Sequence, residues 1–142
     1  MNTNYSMQQD KQNVILHRPM LLSILWVFLS LNYILCDVIS NMEMSALRGL
    51  LNGKIEGITM TQEFLLFAGI SLEIPFLMVV LSVIVPYKAN RIMNIGVGIL
   101  MIIYQFGSFF MGSDATLHYI FFSGVEIIGN VVIVILAFRW KR

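Results

Sequence analysis

Apolar residues in this chain fall into four long blocks separated by short polar links. The blocks run from about Met20 to Asn41, Gln62 to Val85, Ile92 to Gly112 and Ala115 to Phe138. Each is long enough for a helix to cross a bilayer, which takes roughly 20 apolar residues at about 1.5 Å each. The pattern predicts an all-α, polytopic membrane protein built as an antiparallel bundle of four transmembrane helices.

Local signals mark the ends of the blocks. Pro19 suits the first turn of a helix, where its missing N–H costs nothing. Thr59-Met60-Thr61-Gln62 has the spacing of a capping box ahead of the second block, and Pro86 stops that block. Ser113 or Asp114 is the expected N-cap of the fourth. Residues 1–18 begin with an Asn- and Gln-rich stretch without apolar period, which predicts a mobile cytoplasmic tail ahead of a single transmembrane domain, 19–142. The first block is not read as a cleaved signal peptide. Its apolar core is too long, it carries Asn32, Tyr33 and Asp37, and no small-x-small site follows.

The links add connectivity. Pro86–Arg91 and Ser113–Asp114 are so short that the second, third and fourth spans are expected to be antiparallel neighbours. The link from Met42 to Met60 is longer. Within it, Ser45–Leu51 predicts a short amphipathic helix stopped by Asn52-Gly53, lying on the outer surface as a connector or as a lid.

Composition agrees with the pattern. Of 142 residues, 58% are hydrophobic and 12% charged, and the mean hydropathy is +0.80. That is too little charge to cover the surface of a soluble domain. A net charge of +1 gives no case for nucleic acid. Cys36 is the single cysteine, so neither a disulfide framework nor a cysteine metal cluster is available. With four spans, one side holds Lys11, Arg18, Lys88, Arg91, Arg139, Lys141 and Arg142, and the other only Arg48 and Lys54. The imbalance predicts a multi-pass protein of the cell (cytoplasmic) membrane with both termini cytoplasmic. Trp140, beside the terminal basic residues, fits an interfacial belt at that level; Trp26 does not.

Polar residues inside the blocks carry the candidate chemistry. Glu73, next to Ile74-Pro75, is near the centre of span two, and Glu126 is near the centre of span four. Asn32 and Tyr33 share that level on span one, with Asp37 one turn beyond on the Tyr33 face. Gln105 lies slightly outside the centre of span three. A charged side chain at mid-bilayer costs roughly 3 kcal/mol, so the two glutamates are expected to face the bundle interior and each other, with at least one neutral at pH 7. Glu73, Glu126, Asp37, Tyr33, Asn32 and Gln105 form the candidate ligand- or proton-binding set; the alternative for the acids is an interhelical hydrogen bond such as Glu126 to Gln105. Gly69 and Gly98 read as packing seams. His118, near the outer end of span four, reads as an interfacial anchor, with no second histidine placed to join it in a metal site. No nucleophile–base pair, phosphate loop or haem ligand pair is present, so no catalytic residue, metal or cofactor is implied and an enzyme is not the expected class.

Leu25-Trp26, Asn32-Tyr33 with Asp37, Glu73-Ile74-Pro75, Asn90-Arg91 and Asn94-Ile95 together resemble an uncharacterised family of short prokaryotic four-span membrane proteins. The resemblance covers the first three spans; the fourth matches in hydropathy. It implies the four-span fold and marks Asp37, Glu73 and Arg91, without implying what they do. In size, and in holding a membrane glutamate, the chain is also similar to small multidrug transporters. It departs from them in carrying several acids on different spans. Three functions remain: a ligand-binding or proton- or cation-coupled transport protein, an assembly protein whose buried polar groups fix helix packing, and a quinone- or lipid-linked enzyme subunit. The partners implied are the lipid bilayer, a small molecule or cation, and further copies of the chain.

Overall fold

The computed structural model describes residues 3–55, 58–110 and 116–141, and the side chains of 18–54, 59–110 and 116–141. The described residues form five helices: α1 (Thr3–Asn41), α2 (Met44–Leu51), α3 (Gln62–Ile84), α4 (Tyr87–Ser108) and α5 (Leu117–Phe138). A two-residue antiparallel pair, β1 (Lys54–Ile55) with β2 (Ile58–Thr59), closes the link between α2 and α3. Four segments are long and apolar enough to cross a membrane: Arg18–Asn41, Gln62–Ile84, Tyr87–Ser108 and Leu117–Phe138.

Several boundaries differ from the sequence pattern, each for a local reason. α1 is continuous from Thr3, so it takes in most of the segment that reads as a mobile tail, and Pro19 lies inside it. The ring removes one backbone donor there, a loss that the turns on either side bridge. α3 is capped by Thr61 rather than Thr59; its side chain accepts from the Phe64 amide at 3.2 Å. α4 starts at Tyr87, five residues before the apolar block, because Pro86 takes the N-cap with an extended ψ of 151°. Lys88, Asn90 and Arg91 are therefore helical. α5 has Thr116 as its N-cap, with no side-chain capping bond; Ser113 and Asp114 lie outside the described residues. α2 matches its expectation, ending at Asn52 before Gly53, which has the left-handed φ of 69° that glycine tolerates. It rests against α1 and β1 and buries none of its residues.

The four long helices do not pack in simple chain order. α1 lies against both α3 and α5, α5 lies against α4, and α3 meets α4 only lightly. A short link fixes where two helix ends meet, not how far their faces stay together. The core between them is Leu22, Trp26, Leu29 and Tyr33 of α1, Met78 of α3, Met101 of α4, and Ile133 and Trp140 at the α5 end. Two glycines permit the closest approaches. A β-carbon on Gly98 would stand 2.7 Å from Val134 Cγ2, and one on Gly129 2.6 Å from Leu29 Cδ2. Gly69 is not a seam: nothing lies within 4 Å of its missing β-carbon.

One end of the molecule is tied together through α5. Its last carbonyls have no partner within the helix. Arg18 donates to the Arg139 carbonyl at 3.0 Å, Arg91 to that of Phe138 at 3.0 Å, and the Tyr87 hydroxyl to that of Trp140 at 2.6 Å. Two cations thus face the negative end of the helix dipole. Trp140 itself is only 3% exposed and meets Tyr87 edge-on, so it packs inward instead of forming an exposed belt.

Candidate functional site

Buried polar side chains gather into two groups on either side of an apolar layer. The first lies near the start of α4. Asn94 Oδ1 accepts from Trp26 Nε1 at 2.7 Å and from the Ser82 hydroxyl at 3.3 Å. Its amide nitrogen donates to the side-chain and main-chain oxygens of Asn90, at 2.6 and 2.9 Å. Asn90 in turn donates to the Ser82 carbonyl at 2.6 Å. Asn94 thus uses its oxygen and its nitrogen, and the group joins α1, α3 and α4. Trp26, out of place as a belt residue, is explained here: its ring is core and its N–H is interhelical.

The second group is less complete. On α5, Ser123, Glu126 and Asn130 point between α1 and α4, and all three are buried. Asn130 Nδ2 donates to the Tyr33 hydroxyl and to the Glu126 carbonyl, both at 2.8 Å. Gln105 Nε2 donates to Ser123 Oγ at 2.7 Å. One turn further, Ser108 donates to the Gln105 carbonyl at 2.7 Å and shares a short hydrogen bond with the Tyr119 hydroxyl. Yet Glu126 Oε1 and Asn130 Oδ1 are buried with no hydrogen-bond partner among the described residues. An unmet buried acceptor costs about 1–3 kcal/mol, more if charged, so these two atoms stand out from the satisfied Asn94 group.

The six sequence candidates divide. Tyr33, Gln105 and Glu126 come together in the second group. Asp37 is exposed, but near enough to Glu126 for their charges to interact. Asn32 donates to the Phe28 carbonyl of its own helix at 3.0 Å and takes no part. Glu73 is exposed on α3, which packs on α1 and only lightly on α4, while Glu126 is buried on α5, so the expected pairing of Glu73 with Glu126 is not formed. The acid that accompanies Glu126 is Asp37. Nor does Gln105 bond Glu126, since its amide nitrogen goes to Ser123. Tyr119, Asn130 and Ser108 complete the group; Asn130 follows Glu126 by four residues and Ser108 follows Gln105 by three, helical spacings that put each pair on one face.

Among the described residues the group has no balancing cation. Tyr33, Cys36, Asp37 and Tyr119 are the titratable groups close enough to interact with Glu126. No lysine or arginine occurs on α1 after Arg18, on α4 after Arg91, or on α5 itself. At the neighbouring end His118 Nε2 lies 3.2 Å from both Ser40 Oγ and Thr116 Oγ1, linking α5 to α1. Among the described residues no set of three or more His, Cys, Asp or Glu side chains is grouped to hold a metal ion. What the arrangement offers is acceptor oxygens: room in its hydrogen bonding for a proton, a water or a small cation.

These features define an all-helical protein with four long apolar helices and a buried acid–amide group between three of them. The chain belongs to a family of unknown function, DUF6326, whose model matches residues 13–142 and so takes in all four long helices. No curated protein and no solved structure matches it.

Proposed function

We propose that this is an integral protein of the cell membrane, an antiparallel four-span bundle that binds a proton or small cation at Glu126 and couples it to the binding or transport of a solute. The carrying observation is the Glu126 carboxyl, 1% exposed, with an oxygen that has no partner and no basic residue at hand among the described residues. A buried carboxyl without a cation is held either as the neutral acid or against a bound cation. Asp37, interacting with it from the exposed side, is the second acid of the site.

The membrane setting is supported by the reversal of polarity. The outer faces carry Phe67, Ile70, Phe106, Phe121 and Ile128, all more than half exposed, while asparagines, serines and Glu126 lie inside. Arg18, Lys88, Arg91, Arg139 and Lys141 belong to the end where α5 finishes, which is read as the cytoplasmic side. Glu73, exposed on an otherwise apolar helix, is read as covered by a second copy of the chain, since a carboxyl left in lipid is costly.

The assembly reading is favoured by one observation, the satisfied Asn94 group, which has every mark of interhelical glue. It does not account for Glu126. The test is binding or uptake in proteoliposomes under an imposed pH or cation gradient. Dependence on the gradient in wild type and its loss in Glu126→Gln is the expected result. Gradient-independent behaviour of both proteins would leave the assembly reading standing.

A further inference from the structure

Glu126 sits between two unlike surroundings along the bundle. Toward the start of α5 the neighbouring turns are polar on all three helices. Ser123 and Tyr119 of α5 are bonded to Gln105 and Ser108 of α4, and Tyr33 and the exposed Asp37 stand on α1. His118, bonded to Ser40 and Thr116, closes that end. Toward the end of α5 the polar groups stop one turn away, at the buried Asn130, whose amide nitrogen is bonded to Tyr33. Gly129, Ile133 and Val134 meet Leu29 of α1 and Gly98 of α4, with Ile133 and Leu29 fully buried.

The contacts in this layer are close. Leu29 lies so close over Gly129 that even a β-carbon there would be 2.6 Å from it, and Val134 is equally tight on Gly98. Ser30, at this level on α1, has its hydroxyl donated to the Trp26 carbonyl at 2.8 Å. The next polar side chains are those of the Asn94 group, already bonded to one another. α3 contributes Glu73 only on its exposed side.

From this asymmetry we infer that Glu126 exchanges its proton with the His118 end of the molecule alone, past Asp37, and that the Leu29–Gly129 layer insulates it from the Trp140 end. The inference rests on the reading of Glu126 as the proton-binding group. In the step itself the O–H bond of Glu126 breaks and the proton passes, by way of water, to the Asp37 carboxylate or to solvent. Glu126 is left as the carboxylate and no electron changes hands. The titratable groups facing it are Tyr33, Cys36 and Asp37 on α1 and Tyr119 on α5, with Tyr104 of α4 near Tyr33. Cys36 is the single thiol, buried beside the path.

The test uses the full chain in vesicles sorted by orientation, with a strongly buffered lumen. After a pH jump in the bath, the protonated-carboxyl infrared band is followed, assigned to Glu126 by its loss in Glu126→Gln. With the His118 end outward the band should follow the bath. With the Trp140 end outward it should stay with the lumen until an ionophore collapses the gradient. A band that follows the bath through the Trp140 end overturns the inference while leaving Glu126 as the proton site. No Glu126-dependent band at any pH overturns the site reading itself. Leu29→Ala removes the side chain over Gly129 and should let the band follow the bath from the Trp140 end. A variant as well insulated as wild type would show that this layer is not the seal.

Discussion

Asn94 and Glu126 are both buried polar residues on helices of high apolar content, yet the surrounding chemistry gives them opposite roles. Asn94 has four hydrogen bonds to groups on three helices, so removing it strands Trp26 Nε1 and loosens Asn90. Asn94→Ala should lower stability by about 2 kcal/mol, the cost of an unmet buried donor together with the lost bonds. Glu126 is the reverse case, since its Oε1 has no partner to lose. Replacing an unbalanced buried polar group by an apolar one of similar volume is often neutral or stabilising. Glu126→Leu should therefore melt no lower than wild type in detergent, while proton-dependent binding is lost. A large drop in melting temperature for Glu126→Leu would make it a structural residue and remove the functional argument. The sequence made Glu126 hard to rank against Glu73. Glu126 was visible as a carboxyl in an apolar run, and so was Glu73, and nothing in the run says which one turns inward.

At the scale of the helix, that ambiguity has a physical cause. α3 is apolar on every side, so its pattern carries no face, and Glu73 was assigned to the interior by its cost alone. α4 is different. Asn90, Asn94, Gly98, Met101 and Gln105 fall at helical spacing and all are buried, so its inner stripe is written in the sequence. The sequence marks Gly98 as a seam and Gln105 as a polar candidate, and a helix start at Ile92 instead of Tyr87 leaves Asn90 off the stripe. Glycines sort the same way. Gly98 faces the stiff, β-branched Val134, whereas Gly69 faces open space. Gly98→Ala should cost about 1–3 kcal/mol through overpacking, and Gly69→Ala should leave the fold unchanged. Thermal unfolding of the two variants side by side checks this; equal stability would mean that the α4–α5 seam is looser than its contacts indicate.

For the whole molecule, the number of long helices was legible from block length alone, while the central position of α1 was not, because chain order and short links favour sequential neighbours. α1 instead bridges α3 and α5, and its Arg18 closes the ring of donors on the last α5 carbonyls. That arrangement gathers Arg18, Lys88, Arg91, Arg139 and Lys141 at one end and leaves α2 and the β1–β2 pair, with Arg48 and Lys54, at the far end of α1. If the four long helices span a bilayer, Lys88 and Lys141 must then face the same compartment and Asn52 the other, whatever the lipid. On the reading proposed above, the excess of lysine and arginine puts the first compartment on the cytoplasmic side. Single cysteines at these three positions, in a Cys36→Ser background, can be probed in intact cells with a membrane-impermeant maleimide. Asn52→Cys should label from outside, and Lys88→Cys and Lys141→Cys only after the membrane is opened. Labelling of Lys88→Cys and Asn52→Cys from the same side would break the four-span arrangement. Labelling of both lysine positions from outside, with Asn52→Cys protected, would keep the bundle and invert it. The His118 end, and with it the access to Glu126, would then face the cytoplasm.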